Sequence, residues 1–166
     1  MKKILPLLLC LLLCLLGAGL LGAQSRSDLV ECLKLAFSSP EMEATLTREW
    51  GEMHTLYLGK PSQRNFVAQA GQPNFQELET ADFEGFRWPI VMVNEEEIFH
   101  LPLEYREGGL LRGGATYRAS NGVETISLML SANLPRDPRR WMTGSFVLRR
   151  QGDGWVITQQ SVQMQP

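Results

Sequence analysis

Cysteine is scarce in this sequence, and its distribution excludes a fold held together by disulfides. The chain has three cysteines, and Cys10 and Cys14 lie inside the apolar N-terminal run. Removal of that run would leave Cys32 as a single thiol, so no internal disulfide could form. A chain of this length can bury enough apolar surface to fold without cross-links. Cys32 lies on the apolar side of a predicted helix, and we expect it to be buried and unreactive.

Residue patterns that hold metals or activate nucleophiles are also missing. The two histidines, His54 and His100, do not belong to any His-x-x-x-His or similar ligand spacing, so no zinc site is predicted. No Gly-x-Ser-x-Gly motif is present. Residues Glu95–Glu97 lack the glycine-anchored loop of a calcium site and are typical of a solvated turn. We therefore expect no metal and no cofactor.

Charge is distributed unevenly along the chain. Without Lys2 and Lys3 the sequence has 14 basic and 18 acidic residues. Residues Gln24–Tyr105 include 6 basic and 14 acidic side chains, whereas Arg106–Pro166 has 8 arginines, no lysine and 4 acids. Two oppositely charged halves attract each other in a folded domain, and the net acidity argues against a nucleic-acid partner.

The N-terminus predicts export. Met1–Lys3 is positively charged, and the apolar run Ile4–Ala23 ends in small residues, as in a secretory signal cleaved after Ala23. An uncleaved anchor is the alternative, because about 20 apolar residues can cross a bilayer core of about 30 Å. In both cases residues 24–166 form one domain outside the cytoplasm, either periplasmic or secreted, or anchored to the inner membrane.

Three helices are predicted at the start of this domain. The first is capped by Ser27 and repeats apolar residues every four positions, at Leu29, Leu33 and Phe37. The second is predicted from Pro40 to Leu58, because apolar residues recur there at helical spacing: Met42, Leu46, Trp50, Met53 and Tyr57. A shorter third helix is predicted from Pro61 to Gly71.

Strands are predicted in the rest of the chain. The β-favoured residues between Phe83 and Val93 and the alternation over Ile98–Tyr105 indicate two strands. The glycine pairs at 108–109 and 113–114 bracket a turn-rich piece. Two hairpins follow, one across Asn121-Gly122 and one across residues 151–154, separated by a polar loop, Leu134–Arg140. Helices segregated from a run of strands indicate an α+β domain.

The predicted order of elements resembles the NTF2-like, or SnoaL-like, superfamily of cystatin-like cones. The resemblance rests on the long second helix, on the late hairpin, and on the ending Phe146–Ile157, in which a glycine-rich turn precedes Trp-Val-Ile. It implies three N-terminal helices packed on a curved antiparallel sheet of about five or six strands, with a pocket between the two layers. It also implies a homodimer. Such domains include small-molecule enzymes, catalytically silent binding domains and subunits of envelope secretion complexes.

The pocket of such a cone would be lined by aromatic residues from the helices and the sheet. We predict Trp50, Tyr57 and Trp88 as lining residues for a small apolar ligand. His54 lies one helical turn after Trp50, and it could act as a general base oriented by Asp82 or Tyr57. The sequence does not decide which face of its strand His100 occupies.

A second candidate site is the polar loop before the last hairpin. Arg136, Arg139 and Arg140 lie there next to Trp141, and guanidinium groups beside an indole suit an acidic partner. The primary hypothesis is therefore an exported, non-catalytic binding domain for an envelope protein or a small apolar ligand. The alternatives are a SnoaL-like acid/base enzyme and a membrane-tethered subunit of an envelope complex.

Overall fold

The chain is described by a computed structural model that covers residues 26–51, 55–61 and 73–166. The predicted signal or anchor segment and almost all of the predicted third helix lie outside these residues. The described part has an α+β fold, with a six-stranded open mixed sheet and four α-helices. The α+β class predicted from the sequence is thus confirmed. None of the described helices is long and apolar enough to span a bilayer.

The first two predicted helices are present. Residues 26–37 form α1, and its apolar positions Leu29, Leu33 and Phe37 are fully buried. The predicted cap at Ser27 is wrong, because residue 26 is already helical and Ser27 lies inside the helix. Helix α2, Pro40–Trp50, begins with Ser39 as N-cap and a proline in its first turn, and buries Met42, Leu46 and Trp50. The four-residue spacing of apolar residues therefore predicted both buried faces correctly.

The predicted extension of α2 to Leu58 is wrong. The helix ends at Trp50, since Gly51 follows with a φ of 72°, which glycine adopts without steric cost. Residues Leu56–Gly59 form strand β1 instead, between strands β2 (Ile90–Val93) and β3 (Leu110–Ser120). Consequently Tyr57, predicted on a helix, belongs to the sheet.

The strand order in the sheet is β2-β1-β3-β4-β5-β6, with β4 at Val123–Asn133, β5 at Trp141–Gln151 and β6 at Gly154–Gln165. Strand β1 is parallel to both of its neighbours, and the other pairs are antiparallel. The number of strands agrees with the prediction. The predicted all-antiparallel arrangement is wrong at β1. The connections from β1 to β2 and from β2 to β3 are long enough to cross over, so all three strands run in the same direction.

The predicted strand Ile98–Tyr105 is also wrong. Two short helices, α3 (Glu95–Ile98) and α4 (Leu103–Glu107), occupy this region. Helix α3 starts at a capping box in which the Asn94 and Glu97 side chains bond each other's backbone N–H groups. This local capping outweighs the alternation of apolar residues. His100, whose strand face was left undecided, lies in the turn after α3 and is exposed.

Both predicted hairpins are confirmed. Asn121 and Gly122 join β3 to β4 with φ values of 52° and 73°, as a type I′ turn requires. Gly152, with a φ of 61°, stands at the first central position of the β5–β6 turn. The glycines at 113 and 114, predicted in a turn, lie inside β3.

Helices α1 and α2 cover one face of the sheet. On this inner face, Leu128, Phe146 and Leu148 from β4 and β5 join the same buried cluster as Phe37 and Leu46 from the helices. Along β3–β6, successive residues point alternately to this inner face and to the opposite face, which we call the outer face. Its central positions are exposed or half-buried: Thr116, Ser127, Met129, Ser131, Thr143, Ser145 and Gln163.

Candidate functional site

The residues predicted to line an apolar pocket lie in or against the core. Trp50 and Trp88 are 8% and 9% exposed and belong to the buried cluster. Tyr57 is half-buried, and its ring stands edge-on to that of Tyr105, 4.6 Å away between centroids. These aromatic side chains therefore fill space in or beside the core between the helices and the sheet.

Two open grooves in the described part of the chain are lined by other residues. One, of about 690 Å³, is lined by Arg26, Ser27, Val30, Gln76, Glu77, Glu79 and Asp82. The other, of about 500 Å³, runs along β6 and is lined by Leu35, Ser38, Ser39, Pro40, Ile157, Thr158, Gln159 and Gln160. Neither groove includes a predicted pocket residue.

Of the three catalytic candidates, Asp82 is held in an ion pair. The Arg26 guanidinium donates to both carboxylate oxygens of Asp82, with Nη2–oxygen distances of 2.9 and 3.0 Å. These hydrogen bonds raise the pKa of Arg26. Asp82 Oδ2 also accepts the backbone N–H of Glu79, at 2.8 Å. His54, the predicted base, lies outside the described residues.

No cluster of three or more His, Cys, Asp or Glu side chains in residues 26–51, 55–61 and 73–166 could hold a metal ion. Residues Glu95–Glu97 are exposed, and their backbone forms the first part of α3. The solvated turn expected there is therefore a helical turn.

The loop Leu134–Arg140, which we call the arginine loop, connects β4 to β5 and is internally braced. Leu134 N–H donates to the Arg140 carbonyl oxygen at 2.9 Å, and Arg140 N–H donates to the Asp137 carbonyl oxygen at 3.0 Å. The Asn133 amide adds a bond to the Pro138 carbonyl oxygen at 2.7 Å. These bonds close the loop on itself and give it a defined shape.

The base of the arginine loop is fixed to the rest of the domain through Gly109. Its N–H donates to the Asn133 carbonyl oxygen at 2.6 Å, and its own carbonyl oxygen accepts from Trp50 Nε1 at 3.1 Å. The ring of Trp50 thus connects the end of α2 to the β4–β5 connection. Trp50, a predicted pocket residue, thus also helps to position the arginine loop.

The predicted partner-binding residues stand together at the surface. Arg136, Arg139 and Arg140 are exposed, and Trp141 is 49% exposed at the first position of β5. Among the described residues, no carboxylate lies within ion-pair distance of these three arginines. An arginine without an internal partner is available to an external one.

Sequence reasoning missed three further cations on the outer face. Arg112, Arg118 and Arg149 occupy exposed strand positions, and the described part of the chain offers them no ion pair. The register sets Thr125 opposite both Arg118 and Arg149. The outward-facing positions of β3–β6 include no aspartate or glutamate. Alternation within each strand separates its two faces, but only the register against β4 shows that Arg118 and Arg149 share one of them.

The attraction expected between the two halves of the chain occurs at Arg150. Its guanidinium donates to Asp28 of α1 at 2.5 Å and also bonds Glu124. Asp28 is 9% exposed and also accepts from Trp155 Nε1 at 3.1 Å. The Arg150 guanidinium carbon lies 4.7 Å from the centre of the Trp155 ring. We call Asp28, Arg150 and Trp155 the helix–hairpin clasp.

Cys32 is fully buried beside the clasp, which confirms the expected burial. Burial raises the pKa of its thiol well above the ordinary range, and the negative charges of Asp28 and Glu31 raise it further. A neutral, buried thiol is a poor nucleophile.

Because folded Cys32 keeps its proton, the free energy of unfolding should fall at alkaline pH. An unfolded cysteine ionises near about pH 8.5. Above that pH the unfolded chain loses a proton that folded Cys32 retains, so the free energy of unfolding should decrease by up to about 1.4 kcal/mol per pH unit. Urea denaturation between pH 7 and 10, with Cys32→Ala as reference, measures this contribution. Equal pH slopes for the two proteins would contradict the assignment.

No protein-family model, no curated protein and no solved structure matches the chain significantly.

Proposed function

We propose that this protein is an exported, non-catalytic binding domain that holds an acidic protein partner of the cell envelope through the arginine loop and Trp141. The observation that carries the proposal is the half-exposed indole of Trp141 beside three exposed arginines that lack carboxylate partners among the described residues. Tryptophan and arginine are the side chains that most often dominate the energy of protein interfaces.

The internal bracing of the loop supports this function. Leu134 and Arg140 bond each other across the loop, and Gly109 fixes its base. A loop that is already ordered loses little conformational entropy when a partner binds, so more of the contact energy appears as affinity. A protein surface with acidic side chains would supply both the carboxylates for the arginines and an apolar contact for the indole.

The two other candidate functions have weaker support. A small apolar ligand would need the space that Trp50 and Trp88 fill in the core. An acid/base enzyme would need Asp82 or Tyr57 to orient His54. Arg26 engages both oxygens of the Asp82 carboxylate, and the Tyr57 ring packs edge-on against Tyr105. The binding domain is therefore the function that the geometry supports best.

For the architecture, we propose an NTF2-like cone. Two N-terminal helices packed on one face of long antiparallel hairpins support it, as does the burial of Trp155 at the start of the last strand. The parallel pairing of β1 is a departure from the all-antiparallel sheet that the resemblance implied. Fold alone does not choose a function, so the proposal depends on the loop.

The binding proposal predicts that truncation of the Trp141 side chain strongly lowers the affinity for the partner. A photo-reactive amino acid placed at position 139 of the exported protein should cross-link an acidic envelope protein in intact cells. Trp141→Ala should weaken binding of that purified partner at least tenfold, because truncating a central interface tryptophan costs about 2 kcal/mol or more. Fluorescence anisotropy with the labelled partner measures the dissociation constant.

A matched control is Phe99→Ala, which removes another exposed aromatic ring, 74% exposed, outside the loop. It should leave the affinity unchanged. Affinity should also fall as salt rises, since the contact is between opposite charges. A partner that binds Trp141→Ala and the unaltered protein equally would refute the proposal.

Export is part of the proposal and has its own test. The intact mass of the protein purified from the exported fraction identifies its first residue. A mass that starts near Gln24 supports a cleaved, exported domain. A mass that retains Met1 would support the membrane-tethered alternative.

A further inference from the structure

The arginine loop and the outer face of the sheet form one continuous surface. Trp141 lies opposite Asn133 in the register of β4 and β5, and it alternates with the fully buried Met142, so its indole is on the outer face. Arg112 pairs with Ser131, two residues before Asn133 on β4. The surface that we propose for the partner therefore continues from the loop onto the sheet.

Two further arginines lie at the other end of this face. Arg118 and Arg149 both pair with Thr125, so their Cα atoms are about 10 Å apart across β4. Arg149 and Trp141 belong to the same strand, and the rise of an extended chain separates them by about 27 Å. Cationic side chains thus stand at both ends of a long face.

The middle of the outer face is uncharged and has mostly small side chains. Its outward positions are Gly114, Thr116, Ser127, Met129, Ser145, Val147, Gln159 and Ser161. Met129 is 59% exposed and Trp141 is 49% exposed. Arginine, methionine and tryptophan are enriched in protein interfaces, whereas lysine, aspartate and glutamate are depleted. The outer face has the first three residue types and none of the last three.

The positive charge of the outer face is not balanced by carboxylates of the described chain. Arg112, Arg118 and Arg149 make no ion pair with the described residues. The residues outside the described ranges contain one acidic side chain, that of Glu52. The whole chain has 18 acidic and 16 basic residues, so a face without acids does not follow from its composition. Such a face is complementary to a negatively charged partner.

We propose that the outer face of β3–β6 is the second half of the partner interface, and that one acidic protein covers the arginine loop and this face together. The inference rests on the proposed function of the loop. The partner would present two groups of carboxylates, one to the loop and Arg112, the other to Arg118 and Arg149. The face is about 14 Å wide from β3 to β6, so one extended peptide would leave most of it uncovered. A folded acidic surface is therefore the occupant.

Two other occupants fit the outer face less well. A second copy of the chain, stacked face to face, would oppose two arginine-bearing faces that offer each other no carboxylate. An anionic lipid surface attracts closely spaced basic residues. The arginines of the outer face instead stand in two groups separated by uncharged positions.

Photo-cross-linking from the middle of the outer face tests the proposal in intact cells. A photo-reactive amino acid at position 127, which leaves every arginine in place, should capture the same protein as one at position 139. One at position 44, exposed on α2, should not capture it. Capture from position 139 alone would overturn this inference and leave the function of the loop standing. Capture from neither 139 nor 127 would overturn both.

Charge reversal at the far end measures what the outer face contributes to affinity. Arg118→Glu with Arg149→Glu should raise the dissociation constant of the purified partner about tenfold or more. The control pair Arg48→Glu with Arg87→Glu makes the same change in net charge, on side chains that are 62% and 73% exposed and lie on or beside α2. It should raise the dissociation constant less than about threefold. Acidic partner residues next to the site cross-linked from position 127, once replaced by lysine, should restore binding to the charge-reversed protein.

Trp141→Ala separates this inference from the function on which it rests. If Trp141→Ala weakens binding but Arg118→Glu with Arg149→Glu acts no more strongly than the control pair, the loop binds the partner and the outer face does not. If neither weakens binding, both proposals are wrong. Vesicles of phosphatidylethanolamine and phosphatidylglycerol in equal parts test the lipid alternative. Vesicle binding that the charge reversal abolishes, with an unchanged affinity for the protein partner, would overturn the proposal.

Discussion

Asp28→Ala should lower the free energy of unfolding by about 3 kcal/mol, because it removes the acceptor of the buried Trp155 indole and one of the two carboxylates that Arg150 pairs with. Asp28 is 9% exposed and accepts bonds from Arg150 and from the Trp155 indole. Without it, the guanidinium of Arg150 retains a charge in a site from which most water is excluded. Urea denaturation at pH 7, followed by circular dichroism, measures the loss.

The comparison variant is Glu124→Ala, which removes the other carboxylate on the same arginine. The Glu124 side chain is 38% exposed, so the loss should be below about 1 kcal/mol, as for surface ion pairs. The stability loss of Asp28→Asn should lie between those of Asp28→Ala and Glu124→Ala, since asparagine keeps an acceptor for the Trp155 indole. If the alanine variants at 28 and 124 lost equal stability, the clasp would not be a buried structural element.

Gly108→Ala should lower the free energy of unfolding about as much as Asp28→Ala does, but for a steric reason. A Cβ at position 108 would lie 2.2 Å from the Leu134 carbonyl oxygen and 2.9 Å from its carbon. Because these are backbone atoms, the strain cannot be relieved by a side-chain rotation. We expect a loss of about 3 kcal/mol in the free energy of unfolding, at the upper end of overpacking effects. The same variant should weaken partner binding, since the arginine loop starts at Leu134.

Gly114→Ala is the matched control, because nothing lies within 4 Å of a Cβ there and its strand conformation suits any residue. It should leave stability unchanged or raise it slightly, by about 0.5 kcal/mol. Equal losses at positions 108 and 114 would show that glycine matters for reasons other than close packing. Denaturation curves with unchanged slopes would confirm that both variants unfold as the unaltered protein does.

Features of the fold that depend on neighbouring residues in the sequence could be predicted. The four-residue spacing in α1 and the Asn121-Gly122 turn act locally, and both predictions are confirmed. Strand β1 could not be predicted in this way. Its residues Leu56–Gly59 continue the apolar spacing of α2, and only pairing with two distant strands makes them extended. Tertiary contacts override local preference in such segments.

The same distinction applies to the candidate site. The arginine loop was predicted because its arginines are adjacent in the sequence. The clasp was not, since Asp28 and Arg150 lie 122 residues apart and neither belongs to a recognisable motif. Of the outer-face arginines, Arg112 was missed because β3 was predicted to begin only at Ala115, whereas it begins at Leu110. Arg118 and Arg149 lie in predicted strands, but only the register of both strands against β4 places them on one face.

The clasp also bears on how the chain reaches its folded state. Helix α1 meets β5 and β6 at Arg150 and Trp155, at nearly opposite ends of the described chain. Closing a loop of this length costs conformational entropy before the contact contributes any stability, and proteins dominated by such contacts fold slowly. Helix α1 therefore cannot form the clasp until the final hairpin has been synthesised.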